Sequence, residues 1–246
     1  MATQLNIVND LQRRLRETVT TSVGTSSYSA LLGMFVNDAK EFMEDRWFWT
    51  VNEVEIDTSV LSNGTREYDL TSTTDRSFLV RMEEDRTPMA FDVTSNEKGQ
   101  LYDIPLRDLR AWRNTQNTID DVDVPYRFSV KPDSDGRGYT LELLQGSTTS
   151  RTWRTYWYAP QAELAVDGTD DSTEVLLPKR PVFLMALYYA LNERGEEMGE
   201  PGNVAEQRAM EAAAAAMELD MQVHKTSDTK TMTNLECLRN KILGDL

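Results

Sequence analysis

The chain has 246 residues with 26 Lys and Arg against 41 Asp and Glu, a formal net charge of −15 and a pI near 4.5. That balance argues against a protein that grips nucleic acid, because affinity for phosphates comes from clustered Lys and Arg. Hydrophobic residues at 39%, with 5 Trp, 9 Tyr and 7 Phe, suffice for one or two packed cores and are too many for a solvating acidic tail.

Leu5, Val8, Leu11, Leu15 and Val19 recur at helical spacing, predicting a first helix over about residues 3–22, with Gln12, Arg13, Arg16 and Glu17 on its outer face. Gly24 breaks it, and Thr25-Ser26-Ser27 can cap a second helix whose apolar stripe runs from Leu31 to Met43 and which ends near Arg46. From Thr50 the period becomes two. Val54 and Ile56, then Tyr68 and Leu70, alternate across Asn63-Gly64 and predict a hairpin. Phe78, Val80 and Met82 alternate again, as do Met89, Phe91 and Val93. Leu106–Trp112 after Pro105 reads as a short helix. A second strand group follows at Tyr126–Lys131, Tyr139–Leu144 and Thr152–Tyr158. Pro178 and Pro181 open a helix over Val182–Glu193, ended by Gly195, and a further helix spans Asn203 to about His224 with the alanine run Ala212–Ala216.

Four helices thus bracket a β region, and neither helix pair could bury its stripe alone. The expected fold class is α+β: an antiparallel helical bundle built from N- and C-terminal helices (residues 1–50 and 161–225), an inserted, mainly β domain (51–160), and a C-terminal arm (226–246). Between Gln161 and His224 there are 13 acidic and 4 basic residues, whereas Lys225 to Leu246 holds 4 basic and 3 acidic. Met232, Leu235, Leu238 and Ile242 are spaced for a short amphipathic helix, which either meets a partner or packs on the chain's own helices.

The single cysteine, Cys237, admits no internal disulfide, no Cys-x-x-Cys pair is present, and a reducing origin fits. With His224 as the single histidine, triads and multi-histidine metal sites fall away, and His224 has no nucleophile or second ligand near it in sequence. Asp133–Gly138 begins like a calcium loop, but Arg137 stands at its fifth position and Leu144 at its twelfth, so a glycine-rich turn is expected. No catalytic residue, cofactor site or metal site is expected. The clusters Trp47-Phe48-Trp49 and Trp153, Tyr156, Trp157, Tyr158 read as packing at the junction of bundle and β domain. The start MATQLNIVND lacks a basic, then apolar leader, and no apolar run approaches about 18 residues, so neither export by a signal peptide nor a membrane span is expected.

Set in order, several signposts form a pattern: Ala39-Lys40-Glu41-Phe42-Met43-Glu44-Asp45-Arg46-Trp47-Phe48-Trp49, Glu67-Tyr68-Asp69-Leu70, Pro125-Tyr126-Arg127-Phe128, Arg154–Pro160, Leu177-Pro178 and an alanine-rich last helix. Over about residues 3–225 this resembles the head-to-tail adaptor proteins of tailed bacteriophages, particularly of short-tailed phages. The resemblance implies a non-enzymatic virion protein at the portal–tail junction, assembled in the host cytoplasm. It also implies a homo-oligomeric ring, a dodecamer, with the portal protein on one side and tail or nozzle proteins on the other. Double-stranded DNA would pass through its acidic lumen without specific binding. On that reading Met232, Leu235, Leu238 and Ile242 bind the portal. A cytosolic acidic assembly protein outside a virion, and a carboxylate-based hydrolase, are the competing readings.

Overall fold

The computed structural model describes residues 2–70, 73, 76–80, 88–94, 99–115, 120–133, 138–195 and 200–224. Its first elements are β1 (Ala2–Thr3), α1 (Gln4–Arg14), α2 (Ser27–Glu44), β2 (Glu53–Val60), β3 (Glu67–Leu70), β4 (Phe78–Leu79), β5 (Ala90–Asp92), β6 (Gly99–Gln100) and β7 (Tyr102–Asp103). Then follow α3 (Leu106–Thr115), β8 (Arg127–Pro132), β9 (Tyr139–Leu143), β10 (Arg151–Tyr158), β11 (Glu174–Val175), α4 (Lys179–Glu193) and α5 (Glu200–His224). The chain is α+β. Its contacts divide it into two compact units, Met1–Val51 with Gln161–Leu246 and Asn52–Pro160, each taken over its described residues.

In the first unit, Thr3 caps α1 by accepting the Asn6 N–H, and Ile7, Val8 and Leu11 are fully buried. The helix stops at Arg14 rather than continuing to residue 22. Arg16 adopts a φ of 60°, the Glu17 N–H bonds the Gln12 carbonyl at 2.8 Å, and the Thr20 N–H is taken by the side chains of Asn9 and Gln12. The β-branched and hydroxyl residues of Thr18–Ser22 favour such local bonding over another helical turn. In consequence Val19 is 44% exposed, and Gln12, expected on the outer face, is buried.

Ser26 and Ser29 form a reciprocal capping box at the start of α2. The returning segment after Pro160 is held to α2 by buried polar side chains. The Lys40 amine donates to the carbonyls of Gln161 and Ala162 at 2.6 Å each, Asn37 and Leu164 bond reciprocally, and Glu44 accepts the Gln161 N–H. β1 pairs antiparallel with β11, tying the first residues to the same segment. α5 lies along α4 through Ala205, Ala209, Ala212, Ala213 and Met217, all buried, so the first two residues of the alanine run serve close helix approach within this unit.

The second unit has a sheet ordered β2-β10-β5-β6, with β4 also on β10, and a sheet ordered β3-β9-β8-β7, in which β7 and β8 run parallel. The expected hairpin between β2 and β3 does not form. β2 pairs with β10 along its whole length, Glu53 opposite Tyr158 and Val60 opposite Arg151, while β3 pairs with β9. The Asn63-Gly64 turn is present, with Gly64 at φ 75°, but it carries the chain from one sheet to the other. Val60 and Leu70 then enter one core with Leu101, Phe128, Trp153 and Trp157, which a hairpin within a single sheet would leave half built. β5 also reverses its expected faces: Ala90 and Asp92 are buried and Phe91 is half-buried, because Arg151 meets the Asp92 carboxylate. The β8–β9 turn is closed by the Asp133 N–H on the Gly138 carbonyl.

Candidate interaction surface

α4 carries large apolar side chains around most of its circumference. Val182, Met185, Ala186 and Ala190 are buried, yet Phe183, Leu184 and Leu191 stay partly open. Together with Leu15 at the end of α1 and Val204 at the start of α5 they floor a groove of about 810 Å³. Its rim is basic: Arg13 and Arg14 from α1, Lys179 and Arg180 from α4, Arg208 from α5. The one acid among the described lining residues, Asp10, pairs with both Arg13 and Lys179. Arg14, Arg180 and Arg208 have no ion-pair partner among the described residues. Arg13 and Arg14 sit in the last turn of α1, where the helix dipole favours a cation, but Lys179 and Arg180 sit in the first turn of α4, where it opposes one. That local conflict points to a use for the charge outside the helix itself.

A second surface of the same unit has the opposite sign. Met34, Asp38 and Glu41 occupy the outward face of α2, Met34 being 50% exposed, and Glu163 stands beside them. Burial, and then the charges of Glu41 and Glu163, push the Asp38 carboxyl above its ordinary value, as a crowded acidic patch requires.

The expected partner-binding residues Met232, Leu235, Leu238 and Ile242 lie outside the described residues, as does Cys237. His224 is the last residue of α5. The two aromatic clusters contribute to two different cores. Trp49 is buried in the first unit and donates to the Met43 carbonyl, while Trp153 and Trp157 are buried in the second. Trp47 donates to Asp220 at 2.8 Å, and Phe48 is 67% exposed. Among the described residues the carboxylate most enclosed by cations is Glu142, buried on β9 with Arg113 bonded to it and Arg110 and Lys131 within 4 Å. Its Oε2 accepts no hydrogen bond among the described residues, but Arg110 and Lys131 offset its charge at 3.8 and 3.7 Å, so the group reads as a structural ion cluster. Among the described residues no group of three or more His, Cys, Asp or Glu could hold a metal ion, and no helix is long and apolar enough to cross a membrane.

The groove has a sequence signal that periodicity does not bring out. Of the four basic residues between Gln161 and His224, three, Lys179, Arg180 and Arg208, line it. The model of the family described as SU10 adaptor protein matches residues 3–234. No curated protein matches the chain.

Proposed function

Because the chain belongs to the SU10 adaptor protein family, whose match over residues 3–234 supports a phage head-to-tail adaptor, we propose that it forms a ring that joins the portal to the tail or nozzle. That family match is the observation that carries the reading. On this proposal the helices of residues 1–50 and 161–225 assemble as an antiparallel bundle, residues 51–160 are an inserted β domain that contacts tail components or neighbouring copies, and residues 226–246 are an arm. The arm's near-neutral charge and the spacing of Met232, Leu235, Leu238 and Ile242 suit a segment that docks in a groove of the portal. Twelve copies would make the arms multivalent, so each could bind weakly while the ring held firmly.

The role is structural rather than catalytic. A net charge of −15 per copy suits a conduit through which packaged DNA passes, since carboxylates on the lumen repel phosphates. Electron microscopy of the purified chain mixed with isolated portal tests this directly. Rings stacked coaxially on portal are expected; a chain that neither multimerises nor attaches would refute it. An acidic assembly protein working outside a virion would be absent from purified phage particles, so mass spectrometry of particles separates the two readings.

A further inference from the structure

We propose that the basic, apolar groove formed by α1, α4 and the start of α5 is the socket into which the acidic face of α2 from a second copy of this chain docks. The proposal rests on the ring reading above and names the surfaces that build it.

The charge distribution singles out a second copy. The groove lining has five basic side chains and one acidic, a local balance of +4, whereas the rest of the chain has 21 basic and 40 acidic residues. Glu196 and Glu197 between α4 and α5, and Glu200 at the start of α5, are not counted in the lining, their side chains lying outside those described. Two copies meeting groove to groove would set five cations against five, which disfavours that pairing. The groove is therefore set against a different surface of its neighbour. No α2 residue lines the groove, so socket and α2 face are separate surfaces, which the proposal sets against different neighbouring copies. A contact of that head-to-tail kind propagates from copy to copy and closes into a ring when the rotation allows.

The α2 face has the matching chemistry. Met34, an exposed and adaptable apolar anchor, lies on the same face of α2 as Asp38 and Glu41, and Glu163 is close enough to Asp38 to act on its charge. The socket offers Phe183, Leu184 and Leu191 as its floor, with Arg14, Arg180 and Arg208 carrying charge that no described partner neutralises. Apolar contact at the centre with ion pairs at the rim is the ordinary anatomy of a protein interface. The C-terminal segment 225–246 fits the socket less well, because with 4 basic and 3 acidic residues it offers no excess of carboxylates.

Two charge-reversed full-length chains test the pairing: Arg180→Glu with Arg208→Glu, and Asp38→Lys with Glu41→Lys. All four side chains are solvent-exposed, so folding is preserved, and circular dichroism checks it. Multimers are read by native mass spectrometry and negative-stain microscopy, with the chain alone and with isolated portal. Each reversal should lower the assembled fraction by about tenfold or more, because it sets like charges across the contact. An equimolar mixture should restore rings, since the reversed socket of one variant then faces the reversed α2 of the other. Wild-type assembly should weaken as salt rises. Rings unchanged by either reversal, or a mixture that fails to restore them, would overturn the inference and leave the adaptor role standing. Reversal of the socket that spares rings but abolishes portal attachment would also overturn it, assigning the socket to portal. A wild-type chain that forms no multimer in either condition would remove the ring reading itself, and this inference with it.

Discussion

Replacing Asp92 with alanine should cost the second unit about 2–3 kcal/mol. Asp92 lies on β5 with only 4% of its surface exposed, and its carboxylate receives the Arg151 guanidinium at 2.8 Å and the Thr94 N–H at 3.0 Å. Removing one member of a buried ion pair costs about 3–5 kcal/mol, chiefly because the other is left uncompensated. Arg151 keeps 15% exposure and its bond to the Asp123 carbonyl, so it can rehydrate in part, which sets the lower figure. With a urea dependence of about 1–2 kcal/mol per molar, the unfolding midpoint should fall by about 1–3 M. Tryptophan fluorescence reports it, since Trp153 and Trp157 are both buried in that unit's core. The pH dependence supplies a second reading. Burial works to raise the Asp92 carboxyl, but hydrogen bonds from Thr94 and Arg151 outweigh it and hold the group below its ordinary value. Stability from the ionised form is therefore fully present above the unfolded value of about 3.9 and is lost as pH falls through the lower folded value. The wild-type advantage over the variant should thus be constant from pH 7 to about 5 and shrink below about 4. A midpoint change under about 0.3 M, or an advantage undiminished in acid, would refute the reasoning.

Gly64→Ala should destabilise by about 1–2 kcal/mol, because a Cβ there would stand 2.6 Å from an Asp121 carboxylate oxygen on a residue at φ 75°; an unchanged thermal midpoint would contradict it. Ala213→Leu should cost about 1–3 kcal/mol by overpacking α5 against α4, whereas Ala215→Leu on the exposed face should be close to neutral, and urea titration of both variants checks the contrast. Truncation after Lys225 should leave circular dichroism and thermal unfolding unchanged while abolishing attachment to portal in a pelleting assay. Normal attachment would exclude the portal role given to Met232, Leu235, Leu238 and Ile242.

The α+β class and the order of helices and strands were legible in the sequence because both rest on local signals. The stripe from Leu32 to Met43 and the Ser26 cap define α2 within its own residues, and the alternation of Trp153, Thr155 and Trp157 defines β10. The adaptor family was legible too, from the order of signposts along the whole chain rather than from any one of them. Strand partners were not. Whether β2 pairs with β3 nearby or with β10 nearly a hundred residues on depends on which arrangement closes the core around Val60, Leu70 and Trp153, a non-local competition that alternation cannot express. For the same reason the alternation of Met89, Phe91 and Val93 put Asp92 on the wrong face, though it is buried beside Arg151, and nothing local in the sequence marks Lys40 as buried against the carbonyls of Gln161 and Ala162. The basic socket needed folding to exist at all. Arg13, Lys179 and Arg208 are scattered over nearly two hundred residues of an acidic chain, and only the packing of α1, α4 and α5 gathers them around one apolar floor, where their charge becomes a surface instead of an average.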